Sequence, residues 1–214
     1  MGRENKNAAV AALHREQILN AAEKLFAEKG YSQTTIEDLS KTSGYSRRTI
    51  YAYFDNKNDI LNHIVEKGLE QLKRDFQHAM DQNMDFVCTY KALCHAIGRF
   101  QMEYPYSSEK VNKVHSKDLR LENLSETVRH VLLLGTEIND LFAAFIERGK
   151  EDGVVRQDII PMPTVYILWS GIQALFTLVQ TKGDFLSEQF SISESEFLEY
   201  GFNQLINSIL EVRI

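Results

Sequence analysis

The sequence predicts an all-α fold. Apolar residues recur at three- and four-residue spacing through most of the 214-residue chain, the period of one helix face. Only three prolines and eleven glycines interrupt that pattern, and alternating runs of β-branched residues are scarce. Serine, threonine and asparagine precede several of the periodic stretches, where their side chains can cap a helix start.

The first residues, 1–11, are polar and alanine-rich and read as a flexible arm or an early extension of the first helix. Ile18, Ala21, Ala22, Leu25 and Phe26 then form an apolar face that ends at Lys29–Gly30. Thr34 or Thr35 opens a short helix containing Ile36 and Leu39, and Thr34-x-x-Glu37 has capping-box spacing. Gly44 suits the left-handed position between two helices that a helix-turn-helix needs. Ser46 starts the next helix. Ile50 and Phe54, four apart, point inward there, which leaves Arg47, Arg48, Thr49 and Tyr53 outward, where a recognition helix meets base edges. Asn56-x-x-Asp59 caps a fourth helix with Lys57 in its first turn.

That fourth helix runs to about Met80 through Ile60, Leu61, Ile64, Val65, Leu69, Leu72 and Phe76. At about 1.5 Å per residue it spans roughly 35 Å. After DQNMD, a further face from Phe86 to Tyr104 stops near Pro105. Ser107 or Ser108 begins a shorter helix through Val111, Val114, His115 and Leu119. The next runs from Leu124 to Ile146 and ends by Gly149 or Gly153, with Gly135 marking either a kink or a close contact. Pro161 and Pro163 introduce VYILWSGIQALFTLVQ, apolar nearly all round and so in need of cover on more than one side. A loop is expected at 181–192. Ser193-x-x-Glu196 then caps a last helix from Phe197 to Leu210. The count is about nine helices: a three-helix head in residues 1–60, and a larger helical domain in 61–214 joined to it by the long fourth helix.

Composition narrows the class. With 43% hydrophobic and 25% charged residues the chain is ordinary for a globular protein. No stretch is read as the long uncharged apolar run of a membrane span, and MGRENKNAAVAALHRE lacks the apolar core of a signal peptide. A cytoplasmic protein without a membrane partner is expected. Cys88 and Cys94, six apart, lie on different parts of one helix circumference and read as buried structural thiols, with a redox role left open. The net charge of −6 is unevenly placed: residues 1–62 carry nine basic and eight acidic residues, the remainder fifteen and twenty-two. A phosphate-binding face needs only local positive charge. Arg47, Arg48 and Lys57 supply it, with Arg3, Lys6 and Arg15 in support.

Residues 34–61, TTIEDLSKTSGYSRRTIYAYFDNKNDIL, resemble the DNA-binding segment of the tetracycline-repressor (TetR) family. The likeness extends closely over about residues 12–65 and rests on Thr-Thr-Ile, Ser-Gly-Tyr-Ser, Ile-Tyr-Ala-Tyr-Phe and Asp-Asn-Lys in fixed order. It implies phosphate contacts from Thr34 or Thr35, from Tyr51 and from Lys57. Tyr45, Arg47, Arg48, Thr49 and Tyr53 are the groove candidates. The resemblance further implies that the fourth helix carries movement between the two regions, and that the last two helices pair with a second copy. The excess apolar surface of those helices also points to such an interface, through Leu168, Ile172, Leu175, Phe202, Leu205 and Ile209, although a thick core within one chain would absorb it equally.

The larger region reads as a ligand-binding and dimerisation domain. Phe100, Tyr104, His115, Phe142, Trp169 and Phe176 are placed to surround a small apolar or aromatic ligand, although each also suits an ordinary core. No catalytic set emerges: there is no nucleophile elbow and no glycine-rich phosphate loop. His63, Glu66 and His78 share a helix at spacings that do not gather three metal ligands, and no cofactor is implied. The expectation is a homodimeric regulator of a palindromic operator in double-stranded DNA, released by a small molecule. The rival reading is a DNA-associated protein-interaction factor without such an inducer.

Overall fold

The computed structural model describes residues 2–107 and 124–212, with side chains from residue 8 onward. Eight helices run through the described residues. They are α1 (Gly2–Lys29), α2 (Ile36–Ser43), α3 (Arg47–Tyr53), α4 (Lys57–Asp81), α5 (Phe86–Glu103), α6 (Glu126–Glu151), α7 (Pro161–Phe190) and α8 (Glu194–Asn207). Residues 105–107 are helical too. Beyond Ser107, the expected short helix with His115 lies outside the described residues. Val155 and Leu210 form an isolated antiparallel bridge, supported by Arg156 N–H to Ile209 O at 3.0 Å and Glu211 N–H to Val154 O at 2.9 Å.

The described residues divide into two compact units. One is drawn from 1–67 and 106–131, the other from 68–105 and 132–214. The division falls seven residues later than the boundary expected at 60/61, and the first unit includes a later stretch of chain. Side-chain contacts explain both differences. Lys67 pairs with Glu23 at 3.0 Å, the Tyr106 hydroxyl donates to the Phe26 carbonyl, and Glu66 Oε1 meets His130 Nδ1 at 2.6 Å. In this unit α1 packs on α2 and α2 on α3. Ile18, Ala22, Phe26, Leu39, Ile50, Phe54 and Ile60 are buried between them. Each large side chain removed from water in this way contributes about 1.5–3 kcal/mol. The chain is helical from Gly2, so the expected arm at 1–11 is an extension of α1.

In the second unit α7 packs on α8 and α5, and α5 also packs on α8. The α7–α8 contact is reciprocal. Leu205 lies over Gly171, where an added Cβ would come within 2.7 Å of it. Leu175 lies over Gly201, where the corresponding approach is 2.6 Å. Each leucine occupies the space that a side chain on the facing helix would take. An aromatic cluster fills the interior: Phe76 lies edge-on to Phe142 at 5.8 Å and Trp169 is 6.3 Å from Phe76.

Two readings of α7 are corrected. The loop expected at 181–192 is helix as far as Phe190, broken only at Lys182, where φ is −141° and ψ 17°. Gly183 does not end the helix, because it is buried against the Glu194 side chain and the next turn buries Leu186. Helix α7 is also long and apolar enough to cross a membrane by length and composition alone, contrary to the expectation that no such run exists. Here Val165, Leu168, Ile172 and Phe176 turn inward, while Tyr166 and Ile167 stay exposed.

Candidate nucleic-acid interface

The helix-turn-helix is assembled by local hydrogen bonds. Thr35, not Thr34, caps α2: its hydroxyl accepts Asp38 N–H at 3.2 Å, and Asp38 Oδ2 accepts Thr35 N–H at 2.8 Å. The capping box is therefore Thr35-x-x-Asp38, one residue later than the sequence pattern suggested. Thr34 still belongs to the preceding turn. It is buried, and its hydroxyl donates to the Gly30 carbonyl at 2.9 Å, which removes it from the phosphate candidates. Glu37 pairs outward with Lys41 at 3.1 Å. Asp38 also meets Lys29 at 2.5 Å. That ammonium first, and the Thr35 hydroxyl and amide after it, hold the Asp38 carboxyl well below the usual carboxylate range.

Gly44 ends α2 at φ +75°, its N–H bonded to the Ser40 carbonyl at 3.1 Å. A residue with a Cβ would be strained there. The Ser40 hydroxyl donates to the Tyr45 carbonyl at 2.7 Å and holds the turn shut. Ser46 then caps α3, its hydroxyl accepting Thr49 N–H at 3.1 Å and lying 2.8 Å from Thr49 Oγ1. Ile50 and Phe54 anchor α3 inward at 0% and 2% exposure. Arg47 and Arg48 are exposed and have no hydrogen-bond or ion-pair partner among the described residues. Tyr51 is exposed as well. Tyr45 and Tyr53 are partly buried, with their hydroxyls engaged by α1.

Lys57 behaves differently from its expected role. Its ammonium donates to the carbonyls of Tyr31 and Thr34, both at 2.8 Å, and of Ser32 at 3.4 Å, and lies 4.4 Å from the Tyr31 ring centroid. An ammonium has three protons, and all three have protein partners. Lys57 is thus a clasp on the α1–α2 turn, and the direct phosphate role does not fit its bonding. On α4, Glu66 gathers two imidazoles: His63 Nδ1 at 3.0 Å and His130 Nδ1 at 2.6 Å. His78, grouped with His63 by sequence, lies elsewhere beside Gln82. Nothing in the sequence near His63 announces His130, because the pair meets only in the fold.

Three of the six ligand candidates are core residues, and Tyr104 and Trp169 are half-buried. Phe100, Phe142 and Phe176 are buried, Tyr104 stacks on Phe100 at 6.1 Å, and Phe176 lies against Gly98 and Phe202. Trp169 belongs to the Phe76 cluster, and His115 lies outside the described residues. A cavity of about 280 Å³ lies instead among Met80, Asn83, Met84, Phe86, Thr89, Phe145, Arg148, Gly149 and Asp152. Its stacked pair, Phe86 on Phe145 at 4.3 Å, sits close because Gly149 has no side chain to hold Phe86 away. Arg148 is exposed and unpaired among the described residues. Cys94 is buried and burial raises its thiol, but Cys88 is exposed, against the reading of two buried thiols.

The residues proposed for a dimer interface are likewise used within the chain. Leu168, Ile172, Phe202 and Ile209 are buried, and Leu175 and Leu205 cover the two glycines. Outward apolar residues on α7 and α8 are Tyr166, Ile167, Phe185, Phe190 and Tyr200.

Comparison with known proteins follows the same outline. Residues 18–64 match the family model for bacterial regulatory proteins, tetR family. The HTH-type transcriptional repressor KstR2 of Rhodococcus jostii is 26% identical over 145 residues, 68% of this chain and 69% of that protein. The fatty acid metabolism regulator protein of Bacillus subtilis is 40% identical over 75 residues, 35% of this chain and 37% of that protein. The structure of the fatty acid degradation regulator FadR from Bacillus halodurans superposes with a TM-score of 0.69 at 18% identity. That match covers 90% of this chain and 94% of the other, a likeness of fold.

Proposed function

We infer that this chain, a member of the tetR family of bacterial regulatory proteins, is a transcriptional repressor that reads an operator through α3. The observation that carries the reading is the pair Arg47 and Arg48. Both are exposed and unpartnered among the described residues, on the first turn of a helix capped by Ser46 and anchored by Ile50 and Phe54. A guanidinium binds guanine O6 and N7 bidentately, and each good pair discriminates by about 1–3 kcal/mol. Exposed Tyr51 is proposed to contact phosphate, with Thr49 beside it at the groove, while Thr35, whose hydroxyl and amide both donate to Asp38, caps α2. Lys57 serves by holding the turn that precedes α2.

Two copies, paired through the outward apolar residues of α7 and α8, would set two recognition helices on successive major grooves, about 34–36 Å apart. The matching operator is a palindrome. The second unit is proposed to bind a small apolar acid in the cavity between Met84 and Arg148, its tail on Met80, Met84 and Phe86 and its carboxylate on Arg148. The names of two similar proteins, a fatty acid metabolism regulator and a fatty acid degradation regulator, support that chemistry. Such a ligand releases DNA only by binding one state of the dimer more tightly than the DNA-competent state.

The test is selection of DNA from a random pool by the purified protein at fixed moderate salt. An enriched inverted repeat supports the repressor reading, and Arg47→Ala or Arg48→Ala should then relax one base position in each half-site. Binding that is only steeply salt-dependent, with no enriched sequence, overturns it. A medium-chain fatty acid should raise the Tm and weaken operator binding together. Neither effect would favour control by a protein partner.

A further inference from the structure

The two tyrosines that flank the reading residues are tied to α1. His14 Nδ1 lies 3.0 Å from the Tyr53 hydroxyl. The His14 ring is 5.0 Å from that of Tyr45, tilted by 53°, and 5.9 Å from that of Tyr53, edge-on. The Tyr45 hydroxyl donates to Gln17 Oε1, one helical turn further along α1. Arg15 donates to the Tyr53 carbonyl at 3.3 Å, and its guanidinium lies 5.7 Å from the Phe54 ring centroid. A tyrosine ring has few internal rotations, so a hydroxyl anchored at its far end fixes the direction of the whole side chain.

We propose that His14 is a positioning residue for DNA reading. By holding Tyr53 at its hydroxyl and Tyr45 by its ring, it sets the orientation in which α3 presents Arg47, Arg48 and Thr49 to the groove. The proposal rests on the repressor reading above. It adds a residue of α1, outside the helix-turn-helix, to those that determine specificity.

The bond has a chemical consequence as well as a mechanical one. A phenol hydroxyl has one proton and two lone pairs. With its proton on His14, Tyr53 faces DNA as an acceptor, suited to the amino groups of cytosine or adenine. With the proton on Nδ1, Tyr53 faces DNA as a donor, suited to guanine or a phosphate oxygen. Breaking the bond frees the hydroxyl to take either role, and base preference broadens.

The experiment compares the wild-type protein with His14→Phe, His14→Asn and Tyr53→Phe. Each is put through the same random-pool selection, and its Kd is measured on the wild-type site and on a non-specific duplex. His14→Phe keeps a ring against the tyrosines but offers no nitrogen. It should bind the selected site about three- to tenfold more weakly, the size of one lost hydrogen bond, with one base position broadened and non-specific affinity unchanged. His14→Asn places an amide near the site of Nδ1 and should restore most of the preference. Adding Tyr53→Phe to His14→Phe should cost less than the sum of the two alone. An unchanged base preference in His14→Phe, or an equal loss on both duplexes, overturns the proposal while leaving the repressor reading intact. A wild-type protein that selects no sequence removes that reading and this proposal with it.

Discussion

The Lys57 ammonium donates to the carbonyls of Tyr31, Ser32 and Thr34, which makes it the link between the start of α4 and the turn leading into α2. Charge-assisted hydrogen bonds of this kind contribute about 1.5–3 kcal/mol, and their loss strands carbonyls in a partly buried turn. Lys57→Met should therefore lower stability by about 1.5–3 kcal/mol, read as a shift of the urea midpoint. Operator binding should weaken with no change in its salt slope, whereas a lysine facing phosphate would lower the slope by about one. Asp38 gives a second test at this scale. Its carboxyl is depressed by Lys29 first and by Thr35 after it, so its contribution is present above the ordinary aspartate pKa and is lost as pH falls. Denaturation between about pH 4 and pH 2 should show a shallower acid loss in Asp38→Asn than in the wild type.

At the scale of the element, two glycines on helices have opposite meanings. Replacing a helical glycine with alanine gains about 1 kcal/mol of propensity when nothing stands in the way. Around Gly135 of α6, no atom lies within 4 Å of where a Cβ would stand. The kink or close contact left open at this position is absent among the described residues. Gly135→Ala should stabilise by about 0.5–1 kcal/mol. At Gly98 of α5 the added methyl would overlap the Phe176 ring. Overpacking of that kind costs about 1–3 kcal/mol, so it outweighs the propensity gain and Gly98→Ala should destabilise. Parallel thermal melts of the two variants decide it, with Tm moving up in one and down in the other.

For the whole molecule, the decisive surface is the outward side of α7 and α8. Ile167 is 66% exposed and Tyr200 62% exposed, on helices whose inner sides are already packed. If these faces join two copies, Ile167→Glu buries a charge without a partner and should convert dimer to monomer in sedimentation at micromolar concentration. Operator affinity should fall with it, while helix content stays constant. Leu168→Ala is the contrast: it opens a cavity within one chain, should cost about 2–5 kcal/mol of stability, and should leave association unchanged at temperatures where the variant is folded.

The amino-acid sequence alone determined the helices, their caps and the helix-turn-helix, because each depends on residues within a few positions of one another. Gly44 at its left-handed turn, Ser46 before α3 and Ser193 before α8 are of this kind, as is the apolar face of α4. Even the errors there were small: the cap of α2 moved by one residue, and α7 continued past a single non-helical residue. What only the tertiary structure decided were the partners. Lys57 and Tyr31 lie 26 positions apart, His14 and Tyr53 39, and Glu66 and His130 64. Apolar spacing marks a residue as buried, but does not say whether it is buried in its own core, against a ligand or against a second copy. Leu168 and Phe142 carry the same pattern for any of these, and the packing of α4, α6 and α7 buries both within the chain. Side-chain chemistry is local, but the atom that completes each bond is chosen by the path of the chain.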